Sequence, residues 1–180
     1  MRVMQKKREA KKLDAEKLWA YALRSIGQRA QTTGEMRAKL RLRAAELDDI
    51  DVCLNKMKEY GFLDDRKFAS TFAESRLSNK GFGKARSLRD LQARRVAPGL
   101  AEQTVAKLYA EHDEVTLIEA YLRRKYRTAD RETLFQEQKD MASAFRRLRL
   151  AGFSSGNVIK VLKRFAATPE LLDGLEDAED

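Results

Sequence analysis

The stretch Tyr60-Gly61-Phe62-Leu63-Asp64-Asp65-Arg66-Lys67-Phe68-Ala69 sets a helix stop directly against a helix start. Gly61 suits the left-handed residue that ends a helix, and Phe62 is placed to fold back over the last turn. Asp64 then stands where a side-chain oxygen can cap the next helix, with Leu63 and Phe68 at the spacing of a hydrophobic staple. The two aspartates have a second reading, as metal ligands. Two adjacent carboxylates without further ligands make a poor site, and capping is the reading carried forward. The segment therefore predicts a rigid corner between two helical units.

Working outward, apolar residues recur at helical spacing on both sides. Upstream, Leu18, Ala22, Leu23, Ile26 and Ala30 form one stripe over about Asp14 to Arg29. Thr32-Thr33-Gly34-Glu35 reads as a capping box ahead of Met36 and Leu40. A third helix starts near Asp48, with Ile50, Leu54, Met57 and Tyr60 expected inward. Downstream, Phe68, Ala69, Phe72, Ala73 and Leu77 line a fourth helix, which Asn79 to Gly83 breaks. Leu88 and Leu91 line a fifth, ending near Arg95, and Pro98 suits the first turn of a sixth that carries Ala101, Val105 and Leu108. Val115, Ile118, Leu122 and Tyr126, then Met141, Phe145 and Leu148, then Val158, Leu162 and Phe165 give three more stripes, with Thr128 to Glu137 a polar connection. Gly152-Phe153 repeats the Gly61-Phe62 stop, and Leu40, Leu91 and Leu148 hold similar places. The expected fold is all-α: three tandem three-helix repeats stacked into an elongated, curved rod, because units this small bury little alone. The expected divisions are a basic arm over 1–13, repeats over 14–63, 64–111 and 112–166, and an acidic tail over 167–180.

Composition agrees with helices. Ala (24) and Leu (22) outnumber Val plus Ile (11), and there are only two prolines in 180 residues. Charged residues make up 36%, so the core is thin for the surface it supports. No apolar run reaches the length of a membrane span, and the basic N-terminus lacks the apolar stretch of a secretory signal, so a cytoplasmic protein is expected. Neither a phosphate-binding loop nor a dinucleotide turn is present, and no cofactor is expected. Cys53 fits a small buried hydrophobe, and His112 between Glu111 and Asp113 fits a solvated helix end. Without a catalytic constellation, the chain is not expected to be an enzyme.

The net charge of +9 is uneven. Residues 1–12 carry six bases and one acid, whereas residues 170–180 carry six acids and no base. Such tails serve solubility, or else the basic arm seeks a polyanion with which the acidic tail competes. Between them lie the candidate binding groups. Arg76, Lys80, Lys84, Arg86, Arg89, Arg94 and Arg95 crowd one segment around Gly81-Phe82-Gly83, and Arg123-Arg124-Lys125 and Arg146-Arg147 form two further patches. They are either a solvated helix face or a surface complementary to phosphates or to acidic protein, which arginine engages in bidentate fashion. No base-reading motif accompanies them, so any nucleic-acid contact is expected to be independent of sequence.

Taken together, the corner segment, Arg76, Lys80-Gly81-Phe82-Gly83-Lys84, and in the first unit Ala20-Tyr21-Ala22-Leu23, Arg29, Glu35-Met36 and Lys39-Leu40 resemble the bacterial regulatory RecX family, modulators of the RecA recombinase. Leu91 with Arg94-Arg95-Val96 and Gly152-Phe153 extend the resemblance over about Leu18 to Phe165. It departs at Arg94-Arg95-Val96, where the family often has a glycine, and at Met36, where leucine is usual. The resemblance implies an all-helical, non-enzymatic protein that binds RecA filaments on single-stranded DNA, lies along their groove, and restrains ATP hydrolysis, strand exchange and coprotease activity. It also implies a monomer with weak direct DNA binding and no membrane partner. The competing reading from charge alone is a sequence-independent nucleic-acid-binding protein with no dedicated RecA partner.

Overall fold

In a computed structural model of the chain, residues 12–127 and 137–165 are described. The basic arm up to residue 11, the connection over 128–136 and the acidic tail from 166 lie outside them. Within the described residues the chain is all-α: α1 (Ala15–Gln28), α2 (Thr33–Arg43), α3 (Asp48–Glu59), α4 (Asp65–Ser75), α5 (Lys84–Ala93), α6 (Pro98–Ala110), α7 (Glu114–Lys125), α8 (Gln138–Ala151) and α9 (Ser155–Leu162). A wide π turn, Arg76–Lys80, prolongs α4. The one β feature among these residues is an isolated parallel bridge between Leu13 and Ala44.

The helix ends at Thr32, Gly61, Asp64 and Gly152 are built as the sequence predicts, and the structure adds one at Asp14. Asp14 caps α1 through the Lys17 amide at 3.0 Å. The capping box is complete, with the Glu35 amide donating to Thr32 Oγ1 at 3.0 Å and the Thr32 amide to Glu35 Oε2 at 3.3 Å. At the corner, Gly61 has φ +73°, its amide donates to the Lys58 carbonyl, and the Phe62 amide reaches the Met57 carbonyl at 2.9 Å. Asp64 then accepts the Lys67 amide at 2.9 Å. Gly152, at φ +96°, ends α8 by the same pair of bonds, from Gly152 to Arg149 and from Phe153 to Leu148.

Two compact units result. The first holds the described residues up to Phe68 together with Arg94–Ala97. Its core is Leu18, Ala22, Met36, Leu40, Ile50, Leu54, Met57 and Leu63. The α1 stripe is rotated from its expected position: Ser25 is buried while Leu23 and Ile26 are half-buried and Ala30 is exposed. Ser25 is accommodated because Gln31 Nε2 donates to its carbonyl and Lys39 Nζ to its hydroxyl. The second unit holds Ala69–Ala93 and the described residues from Pro98 onward. Ile118, Met141, Ala144, Phe145, Leu148, Phe153, Val158 and Leu162 form one core there.

Each unit contains a helix start seated on a left-handed stop. In the second, the Gly83 amide donates to the Ala151 carbonyl at 2.8 Å and the Ala85 amide to the Gly152 carbonyl at 3.1 Å. The amides at the start of α5 thus satisfy the carbonyls at the end of α8. A Cβ on Gly83 would stand 2.5 Å from the Gly152 oxygen, so the two backbones meet only because both residues are glycine. In the first unit, Thr32 Oγ1 donates to the Arg94 carbonyl at 2.6 Å, and Gly34 lies against the Arg95 backbone. Arg95 has φ +57° and is the one non-glycine described residue in the left-handed region. At Arg94-Arg95-Val96, where no glycine stands, Arg95 itself takes the left-handed conformation.

Candidate partner-binding surface

The twelve basic candidates divide by what holds them. Arg94 is a strut of the first unit. Its Nε lies 2.7 Å from Glu35 Oε1, one terminal nitrogen bonds Oε2 at 3.1 Å and the Ala30 carbonyl at 3.2 Å, and the guanidinium covers the Phe68 ring at 4.8 Å. Arg29 bonds both oxygens of the same carboxylate, at 3.2 and 3.3 Å. Burial pushes the Glu35 carboxyl up, but the hydrogen bonds from Arg94 and Arg29 outweigh it and bring the pKa down to about 2.

In the second unit, Arg76 and Arg86 converge on one carboxylate. Asp90 lies 3.0 Å from Arg76 Nε and 3.1 Å from Arg86 Nε. Both guanidinium groups also face rings, Arg76 over Phe72 at 4.6 Å and Arg86 over Phe82 at 5.3 Å. Two cations on one anion leave a unit of positive charge over. Tyr109, on α6, fixes the turn beside them: its hydroxyl donates to the Phe82 carbonyl at 2.6 Å and lies 2.7 Å from Ser87 Oγ. Arg124 closes the same turn, donating to the Asn79 carbonyl at 3.3 Å and packing on Gly81. Arg147 stacks over Tyr126 at 5.8 Å.

The remaining candidates are mostly open to solvent. Lys80, Lys84, Arg95, Arg123, Lys125 and Arg146 are exposed, and none makes an ion pair among the described residues. Arg89 is exposed with one long contact, 3.4 Å, to the Leu150 carbonyl. Arg124 is thus brought to the Asn79–Gly81 turn and Arg89 to the end of α8, whereas Arg94 and Arg95 belong to the other unit. The surface can hold anions by charge, with arginines already oriented by aromatic rings.

Sequence reasoning missed one exposed feature. Tyr60, expected inward, is 63% exposed, and Phe62 is 45% exposed. Tyr60 is the cap residue just past the end of α3, Met57 is the last buried residue of that stripe, and Leu63 closes the core beyond the turn. Trp19 joins the two rings from α1. The available signal was that Tyr60 is the residue at which α3 stops. His112 is exposed and Cys53 buried, as their surroundings in the sequence predict, and burial pushes the Cys53 thiol pKa up. Among the described residues no three of His, Cys, Asp and Glu gather as metal ligands, and no helix is long and apolar enough to cross a membrane.

These features define an all-α, basic protein among the described residues. The family model for the second three-helix domain of RecX matches residues 64–105. A regulatory protein RecX of Thermus thermophilus is 31% identical over 137 residues, covering 76% of this chain and 84% of that one. The RecX of Syntrophotalea carbinolica is 25% identical over 138 residues, covering 76% of this chain and 88% of that one. The crystal structure of RecX from Lactobacillus salivarius shares the fold, with a TM-score of 0.61 at 20% identity, covering 84% of this chain and 96% of that one. The chain belongs to the RecX family of regulatory proteins.

Proposed function

We propose that this protein regulates the RecA recombinase by binding RecA filaments on single-stranded DNA, along the filament groove, and restraining ATP hydrolysis, strand exchange and coprotease activity. Family membership supplies the partner. The observation that carries the mode of binding is the set of exposed bases in the second unit without an ion pair among the described residues, Lys80, Lys84, Arg123, Lys125 and Arg146. A filament offers repeated acidic and phosphate groups. A chain that touches two subunits at once gains effective concentration for the second contact. Bridging favours one subunit spacing and so resists the rearrangement that accompanies ATP turnover. The three-repeat division at 14–63, 64–111 and 112–166 belongs to the same reading, with a further basic arm and acidic tail.

Lys84 and Arg89 test this directly, because neither anchors the fold. The double variant Lys84→Glu/Arg89→Glu is expected to co-sediment with RecA filaments several-fold more weakly at low salt. Unchanged binding would remove this surface from the contact. Arg86 is a poor choice for the same test, since its charge reversal would also disturb Asp90 and Arg76.

A further inference from the structure

We infer that Arg95 is a partner-contact residue of the first unit, its guanidinium taking an exposed carboxylate of the RecA subunit that the protein binds. The inference rests on the RecA reading and adds a contact on the first unit to it. Four described residues have the left-handed backbone: Gly61 at φ +73°, Gly81 at φ +62°, Gly152 at φ +96° and Arg95 at φ +57°. In that conformation a Cβ comes too close to the carbonyl oxygen, which costs stability, and glycine stands at the other three positions. Gly152 is the direct comparison. It and Arg95 are both stops against which a helix start is seated, α5 on Gly152 and α2 on Arg95. The conformation favours glycine at both places, yet one of them holds an arginine.

Nothing inside the fold offsets that strain. Arg95 is exposed, between half-buried Arg94 and buried Val96, and its side chain has no hydrogen bond, ion pair or ring contact among the described residues. Its backbone, by contrast, is held firmly. Thr32 Oγ1 bonds the preceding carbonyl at 2.6 Å, and a Cβ on Gly34 would stand 2.7 Å from Arg95 Cβ and 2.3 Å from its carbonyl oxygen. The side chain therefore leaves from a fixed point, which limits the entropy lost when its guanidinium is bound. A strained, rigid position that displays an unpartnered side chain points to a contact outside the molecule.

The surroundings select the chemistry of that contact. An exposed guanidinium pairs with an oxyanion, and its fork matches a carboxylate or a phosphate. The other arginines of this junction, Arg29 and Arg94, are committed to Glu35, and Asp65 stands beside them, accepting the Thr33 amide at 2.7 Å. Two cations and two carboxylates balance there, which leaves Arg95 as the free charge. A nucleic-acid strand carries a charge on every nucleotide and gains affinity from several free bases in succession. One carboxylate on a protein surface needs only the single free fork that this junction offers.

The experiment uses the full chain and RecA filaments assembled on single-stranded DNA. Arg95→Gly removes the strain and the guanidinium together. It is expected to raise the folded-to-unfolded ratio in urea about fivefold and to weaken co-sedimentation with the filaments about tenfold. A purely structural role would not give that opposition. Arg95→Lys keeps the charge and the strained backbone, and is expected to show wild-type stability and intermediate binding. Affinity for an oligothymidylate without RecA is expected to be the same in Arg95→Gly as in wild type. A parallel loss of oligothymidylate affinity would reassign Arg95 to phosphate and overturn the carboxylate. Undiminished filament binding by Arg95→Gly, while Lys84→Glu/Arg89→Glu binds weakly, would overturn this contact alone. Lower stability in Arg95→Gly would also overturn it, because the side chain would then serve the fold. A wild-type protein that fails to co-sediment with the filaments would overturn the RecA reading and this contact with it.

Discussion

At the scale of single residues, Arg94 shows how a basic side chain in a basic protein can serve the fold. It neutralises Glu35, shields Phe68 and fixes the Ala30 carbonyl, all within one unit. Its side chain is 25% exposed and that of Glu35 is 12% exposed, so the pair is only partly screened by solvent. Removing one partner leaves the other charge poorly compensated. Arg94→Ala is expected to lower stability by about 2–3 kcal/mol in urea unfolding at neutral pH. The pH dependence has a definite sign. The Glu35 carboxyl is held at about 2 in the fold, against an ordinary 4.5. Its stabilisation is therefore complete above about pH 4.5 and is lost as pH falls towards about 2. The stability difference between the wild type and Arg94→Ala should shrink over that window, and a constant difference down to pH 2 would show that the packing over Phe68 dominates.

At the scale of elements, the helix stops make the sharpest prediction. Gly61 and Gly152 have the same left-handed backbone and the same pair of closing hydrogen bonds. A Cβ on Gly61 would meet nothing within 4 Å, whereas one on Gly152 would collide with the Arg86 backbone at the start of α5. Gly61→Ala is expected to cost about 1 kcal/mol, the left-handed strain alone. Gly152→Ala adds a backbone clash and is expected to cost about 3 kcal/mol or more. Equal shifts in the two denaturation midpoints would contradict this account of the α5–α8 contact. These stops were also the most legible part of the chain. Local rules place Gly61, Asp64, Thr32 and Glu35 at helix ends, because the capping bonds of each close within four residues. The roles of Gly83, Tyr109 and Arg94 were not legible, since their partners stand at least 22 residues away in sequence. The exposure of Tyr60 was missed for a related reason: periodicity carries the stripe one residue past the end of α3, whereas Leu63, beyond the turn, closes the core. Glu114 is a further case, accepting the Ser154 amide at 3.0 Å and the Asn157 amide group at 2.6 Å, and so capping α9 from α7.

At the scale of the whole molecule, the nine described helices carry a charge excess that the fold does not fully neutralise internally. The candidate surface was half legible. Composition located the basic segments, while the structure separates Arg94, Arg76 and Arg86, held by carboxylates, from Lys80, Lys84, Arg123, Lys125 and Arg146, which remain available. The central claim is that these available groups act on a RecA filament as an assembly and not by competing for free DNA. The most direct test is ATP hydrolysis by RecA on single-stranded DNA, with this protein titrated in below the RecA concentration. The account predicts strong inhibition at a small molar ratio, unrelieved by added single-stranded DNA. Inhibition only at stoichiometric amounts, reversed by extra DNA, would contradict it.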